Sequence, residues 1–503
     1  MNRKLALIPV DARPVTYDLP KDLAKLTGWE VIMPQKEMLG FLKQPADLEN
    51  LFQWIDEVIP NVEGFVVSID MLLYGGLVPS RVNTDGEMIL KERLEKLVSM
   101  KQKYPDKKIM AFSSTMRLSN SYVNQEEKEY WNQYGKEIWK FSYHSHRFEK
   151  HGDPADLDIV KAMELEIPTD ILEDYIQTRK RNFSINLSMI DQVEKGCLDL
   201  LVFPQDDTSE YGLNIQEQEN LVEESRRRDL LDSIYIYPGA DEVASTLIAR
   251  MIYLLEEETY PTFYPIYSGL KGSLSMAMYE DRALQESVKG QIFAFGSHTV
   301  ETPQEADIIL GVNVPGKRQG DLALQLYLDG VDTNDRNIGE WTRKLRYYAS
   351  NGKSIAIADV AYANGADPAM VPMLFQAFQL NEIYGFAAWN TAGNTLGTTV
   401  AQAACVHLAE RKGLPIREEK ARQFLVRYLD DYVYQTIVRQ QVRTEIENES
   451  ESEHELLLEK VEALFMKKAV EVKKDVQINF IVDRIYLPWK RTFEIGMEIR
   501  IQR

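Results

Sequence analysis

One unit recurs along this chain and governs what it can fold into: a short apolar run, a stop at polar or charged residues, then a stretch with helical spacing. Leu5 to Val10 stops at Asp11 and Arg13. Gly64 to Ile69 stops at Asp70, with Tyr74 and the Gly75–Gly76 pair just beyond. Lys108 to Ser113 leads to Arg117 and Asn120. Leu200 to Phe203 is halted by Pro204, ahead of Asp206 and Asp207. Ile234 to Tyr237 leads to Asp241 and Glu242, Ser354 to Ala358 to Asp359 and Asn364, and Tyr384 to Ala388 to Trp389, Asn390 and Asn394. Only the run from Trp29 to Met33 ends without such a group, at Pro34 and Gln35. Apolar runs of this length read as strands buried on both faces, and strands that alternate with helices build parallel sheets.

Eight such strands predict an α/β fold of the (β/α)8, TIM-like barrel kind. A doubly wound open sheet is the alternative. It would bring a topological switch and usually a glycine-rich first turn, whereas the first turn here reads Pro9-Val-Asp-Ala-Arg-Pro14. A chain of 503 residues exceeds one ordinary domain. Residues 1–258 are expected to carry barrel strands one to six, with a helical insertion at about 115–198 covering the site. Residues 259–330 read as an inserted small α/β subdomain, with short strands at Thr262–Tyr267, Ile292–Phe295 and Asp307–Val312. Residues 331–412 supply strands seven and eight. Residues 413–503 read as a C-terminal appendage: a helix over Glu418–Arg443, an acidic solvated run from Glu445 to His454, a helix near 455–473, and antiparallel strands within Gln477–Ile501.

The net charge of −20 argues against nucleic acid or an anionic membrane as partner, since both favour basic surfaces. No run reaches the roughly 18 apolar residues of a membrane span. The N-terminus lacks a signal peptide's apolar core, so the cytoplasm is the expected location. Cys197 and Cys405 have no CxxC partner and read as buried small hydrophobes. His144 and His146 form an HxH pair with no third ligand set by spacing; no metal is assigned, and the pair is expected to line the helical cover or to sit in a polar loop. No phosphate loop, dinucleotide fingerprint, nucleophile elbow or HExxH is present, and no cofactor is expected.

Chemistry is expected where the strand ends meet. A barrel would bring Asp11, Arg13, Asp70, Tyr74, Arg117, Asn120, Asp206, Asp207, Asp241, Glu242, Asp359, Asn364, Trp389, Asn390 and Asn394 onto one rim. Such an acidic pocket with amides suits sugar hydroxyls, and Trp389 or Tyr74 offers a ring to stack on a pyranose. Asp206 and Asp207 are the expected catalytic pair. Successive side chains in extended backbone point opposite ways, so one carboxyl orients a substrate group while its neighbour protonates the leaving oxygen. Crowded like charges raise one pKa, as a general acid requires.

These blocks also carry a resemblance. Ile8-Pro-Val-Asp-Ala-Arg-Pro, Ser68-Ile-Asp-Met-Leu-Leu-Tyr-Gly-Gly-Leu-Val-Pro-Ser-Arg, Phe203-Pro-Gln-Asp-Asp-Thr-Ser-Glu-Tyr-Gly, Tyr237-Pro-Gly-Ala-Asp-Glu and Ala388-Trp-Asn-Thr-Ala-Gly-Asn-Thr resemble a bacterial family described as a domain of unknown function, over roughly residues 1–410. The acidic pair is also similar to that of the substrate-assisted β-N-acetylhexosaminidases. That similarity implies Asp206 polarising a substrate acetamido group and Asp207 as acid/base, although in those families the pair follows the fourth strand and here it follows the fifth.

The expected function is therefore a glycoside hydrolase, for which the resemblance implies a hexosaminidase-like mechanism, acting on a small-molecule or oligosaccharide substrate. A metal-dependent lyase or isomerase on a sugar-like substrate, or a non-catalytic sugar-binding protein, are the alternatives. An oligomer is compatible with the sequence.

Overall fold

The computed structural model describes residues 3–446, 454–476 and 478–502. In chain order the first half comprises β1 (Lys4–Ile8), α1 (Asp18–Leu26), β2 (Glu30–Ile32), α2 (Leu48–Val58), β3 (Gly64–Ser68), α3 (Ile69–Tyr74), α4 (Leu77–Val82), α5 (Glu87–Lys103), β4 (Lys108–Phe112), α6 (Trp131–His151), α7 (Pro154–Glu166), α8 (Thr169–Glu194), β5 (Leu200–Gln205), α9 (Leu213–Arg227), β6 (Ile234–Pro238) and α10 (Val243–Leu255). The second half comprises β7 (Phe263–Tyr267), α11 (Leu270–Ser273), α12 (Leu284–Phe295), β8 (Ile308–Asn313), β9 (Gly320–Asp321), α13 (Ile338–Ser350), β10 (Ser354–Asp359), β11 (Tyr362–Ala363), α14 (Met370–Ala377), β12 (Ile383–Ala387) and α15 (Ala392–Arg411). The C-terminal part holds α16 (Arg417–Arg427), a π-helical stretch (Tyr428–Val438), α17 (Arg439–Glu445), α18 (His454–Val476), β13 (Phe480–Tyr486) and β14 (Gly496–Ile501).

The fold is mixed α/β with mostly parallel sheets. Six strands pair in the order β2-β1-β3-β4-β5-β6 and four in the order β12-β10-β8-β7, every pair parallel. A closed ring through all ten of these strands would need ladders from β6 to β7 and from β12 to β2; among the described residues pairing gives two sheets. In the first sheet the chain leaves β1 for β2 on one side and returns to β3 on the other. This topological switch places the β1 and β3 ends beside each other, the position at which doubly wound sheets bind ligands.

Burial explains the arrangement. Alternate residues of the first sheet (Leu5, Leu7, Val66, Met110, Val202) and of the second (Ile308, Leu310, Val312, Ala356, Ala358) enter one core with α1, α10, α12 and α15. The helix α10 packs on β3 and β4 and also on α15, and α15 packs on β10 and β12. These helices therefore lie between the sheets. Both are buried nearly all round, and the strongly apolar α10 in particular tolerates this position because it is covered on every side. The outer face of the first sheet is covered by helices that include α2, α5 and α8, and that of the second by α13, α14 and the C-terminal helices.

Three expectations change. Pro204 does not stop β5, which runs to Gln205; the Pro204 carbonyl accepts the Thr115 N–H at 3.1 Å. Ile292–Phe295 is not a strand but the last turn of α12, where Ile292 and Phe295 face the central layer and Phe293 is exposed. Residues 259–330 are not set apart, since β7 and β8 pair into the sheet that β10 and β12 complete. Between β4 and β5 lie three helices and no strand. Much of the expected acidic run, residues 447–453, lies outside the described residues. The C-terminal strands are an antiparallel pair. No described helix is long and apolar enough to cross a membrane.

Candidate functional site

Two ion-pair groups meet at the C-terminal edge of the first sheet. The first joins the ends of β1 and β6. Arg13, just after β1, has every N–H committed: Nε and Nη2 to Asp11 Oδ2 at 2.9 and 2.7 Å, Nη2 and Nη1 to Asp241 at 2.5 and 3.1 Å, and Nη1 to Glu494 at 3.2 Å. Arg13 is thus a hub that fixes carboxylates, with no donor left for a ligand. Asn394, on the first turn of α15, accepts the N–H groups of Ala240 and Asp241 at 3.1 Å each, and Asn390 donates to Asp241 Oδ2 at 3.2 Å. The segment from the end of β12 into α15 thereby braces the end of β6. Burial, with Asp11 and Asp206 opposing Arg13, pushes the Asp241 carboxyl up to about 6.

The second group surrounds the aspartate pair. Arg81 on α4, 1% exposed, donates to Asp206 Oδ2 at 2.5 Å, with Arg117 3.7 Å from the same oxygen. Arg117 lies 3.2 Å from Asp207 Oδ2 and 2.7 Å from Glu127, and both arginines reach Glu126 at 3.3 Å. Desolvation and then repulsion from Asp206 push the Asp207 carboxyl up to about 7 despite Arg117, while 30% of its side chain stays open to solvent. Against desolvation, Arg117, Arg491 and Arg81 hold the Glu126 carboxyl well below the usual range. Beside this group, Asp70 accepts the Ser114 N–H at 2.9 Å, and its carboxyl is pushed up to about 6, chiefly by burial.

Asp207 adopts φ 37°, in the left-handed region, and so do Tyr279 (67°), Asn364 (59°) and Asn390 (55°). Four such residues converge here: the Thr208 N–H donates to the Tyr279 carbonyl at 3.0 Å, and the Asn364 N–H to the Asn390 carbonyl at 2.9 Å. Strained backbone held this way clusters at functional sites. The Tyr279 hydroxyl and the Asn364 amide both donate to Asp321, at 2.8 and 2.9 Å. The segment leading out of the pair is anchored to α6. There His146 Nδ1 accepts the Gly212 N–H at 3.2 Å and Ser142 accepts that of Leu213 at 2.7 Å; His144 pairs with Asp156 at 2.6 Å. Among the described residues no group of three or more His, Cys, Asp or Glu is disposed to hold a metal.

The remaining expected residues scatter. Trp389 is 5% exposed and, with Asn364, Asn390, Val15 and Glu494, lines a narrow slot beside the first group. Asp359 is buried in a separate network, accepting from Asn313 at 2.9 Å and from the Asp367 N–H at 2.6 Å. Glu242 is buried in the central helical layer against Gln291, at 2.8 Å, and burial pushes its carboxyl up to about 8. Tyr74 packs into the outer core, with Arg181 stacked on its ring, so it offers no face to a ligand. Asn120 is exposed. Conversely, Arg81, Glu126, Glu127, Tyr279, Asp321, Arg491 and Glu494 stand at or beside the site without having been singled out by sequence; of these only Arg81 lies inside a marked block, at the end of Leu77-Val-Pro-Ser-Arg81.

Residues 5–498 match the family model described as "Protein of unknown function (DUF4127)". The chain belongs to this family. The DUF4127 match runs well beyond residue 410, the limit of the resemblance, and takes in β13 and the first half of β14. No curated protein and no solved structure gives a match.

Proposed function

We propose that this protein hydrolyses glycosidic bonds, with Asp207 as general acid/base and Asp206 as its charged partner. One observation carries this reading: two adjacent carboxyl groups stand in contrasting surroundings, Asp206 bonded by Arg81 at 2.5 Å and Asp207 pushed up to about 7 yet reachable by solvent. That division of labour between two carboxyls is what glycoside cleavage needs. Asp207 gives its proton to the leaving oxygen as the C1–O bond breaks. Asp206 faces the positive charge developing at C1, or orients a substrate acetamido group. Water then adds to C1 and returns a proton to Asp207. Asn364 and Asn390 supply amides for hydroxyl groups. The reading does not need the strands to close into one barrel, because the C-terminal ends of strands carry binding sites in open parallel sheets as well.

The test is release of nitrophenol from a panel of α- and β-glycosides, including N-acetylglucosaminide and N-acetylgalactosaminide, with and without chelator. Release that survives chelator and falls away above about pH 7, as Asp207 loses its proton, is expected. Release abolished by chelator would favour a metal-dependent lyase. Tight sugar binding without any release would favour a binding protein.

A further inference from the structure

The C-terminal hairpin reaches into this site. Its strands β13 and β14 are joined by Leu487–Ile495. In this strap Thr492 and Glu494 are buried, and Phe493, Glu494 and Ile495 line the slot beside Trp389. Arg491 donates to Glu126 Oε1 at 2.5 Å and to Glu494 at 2.9 and 3.2 Å, and Glu494 in turn accepts from Arg13 at 3.2 Å. Arg13 and Arg491 both stack on the Trp489 ring, 4.4 and 4.8 Å from its centroid. The π-helical stretch pins the strap from the other side: the Tyr434 hydroxyl donates to the Thr492 carbonyl at 2.7 Å and the Gln435 amide to the Phe493 carbonyl at 3.0 Å.

These contacts form one run of alternating charge. It leads from Asp241 through Arg13, Glu494, Arg491 and Glu126 to the two arginines that hold Asp206 and Asp207. We propose that the strap is part of the functional site, with Arg491 and Glu494 as positioning residues that hold the Asp241 half and the Asp206–Asp207 half in register. A hairpin that merely capped the fold would leave its charged side chains in water. Here a mostly buried arginine and a buried glutamate each join charged partners from distant parts of the chain, and such groups are costly to bury unless both ends are paired.

Asp207 is faced by Asp206 from its own segment, by Arg117 and Glu126 from the loop after β4, by Arg81 from α4, and by Tyr279 from the loop before α12. Replacing Arg491 leaves Glu126 less neutralised, which favours the protonated form of Asp207. The test is a pH titration of carbon-13-labelled aspartate carboxyls in the full-length protein, with Asp207→Asn and Asp241→Asn to assign the signals. Arg491→Met should raise the Asp207 midpoint by about half a unit or more. Arg491→Lys should stay near wild type, and Arg491→Met combined with Glu126→Gln should return the midpoint towards it. A folded Arg491→Met with an unmoved midpoint would overturn the proposal. If Arg491→Met does not fold, Glu494→Gln carries the test: by freeing Arg13 for Asp241 it should lower the Asp241 midpoint, and no change there would overturn the proposal. The titration needs no turnover, so an absence of glycosidase activity would count against the hydrolase reading and not against the strap. Where turnover is found, which rests on that reading, kcat in Arg491→Met should fall about tenfold with KM little changed, and the alkaline limb should move upward with the midpoint.

Discussion

Asn394 shows how individual residues hold this site. Its side-chain oxygen takes the N–H groups of both Ala240 and Asp241, and it is 3% exposed. Asn394→Ala would leave two buried donors unpaired. It should lower the unfolding free energy by about 1–3 kcal/mol, read as a lower urea midpoint at unchanged m-value. Residues of this kind are legible in sequence because they directly follow apolar runs. Asp11, Asp206, Asp241 and Asn390 all stand out in that way. Glu126, Tyr279 and Glu494 do not, because they come from loops whose direction is set by tertiary contacts. Tyr74 misleads for a related reason: an aromatic beside two glycines looks like a stacking platform until the packing of α3 turns it into the outer core.

At the scale of elements, the position of α15 decides whether the two sheets meet at the site. A Cβ on Gly393 would lie 2.3 Å from the Pro238 carbonyl oxygen and 3.1 Å from the Gly239 Cα, both of them backbone. Gly393→Ala must therefore push the first turn of α15 away from the end of β6, and with it Asn390 and Asn394. A loss of about 1–3 kcal/mol in stability is expected, and Asn390 should separate from Asp241; a crystal structure of the variant checks the second point. The strand positions were readable because buried parallel strands are short and apolar throughout. The sheet to which each strand belongs was not, since a strand buried on both faces carries no alternation to show which neighbours it meets. The signal available was the strongly apolar character of α10, which requires cover on every side.

The whole molecule is strongly acidic, and its buried carboxyls tie stability to pH. Burial raises Glu242 and Asp431 to about 8, Asp359 and Glu280 to about 7, and Asp70 to about 6. A raised acid binds its proton more tightly in the folded state. Its stabilising contribution is complete below the ordinary carboxylate value near 4 and is lost as pH rises through the raised value. Other carboxyls, such as Asp199 and Asp156 with their cationic partners, are lowered, and their contribution is lost on acidification. Tm should therefore peak between about pH 4 and 6 and fall steadily from there to about pH 8, as followed by calorimetry across that range. A Tm that rose from pH 6 to 8 would mean that these acids are not held protonated by burial.

The assignment of Asp207 as the proton donor is tested most directly by comparing leaving groups. Asp207→Asn and wild type would be assayed on a dinitrophenyl glycoside, whose leaving group departs without a proton, and on an alkyl glycoside of the same sugar, whose leaving group needs one. The predicted result is a loss of about 10²–10⁴-fold on the alkyl glycoside with a much smaller loss on the dinitrophenyl one. Equal losses on both would contradict a proton-donating role for Asp207.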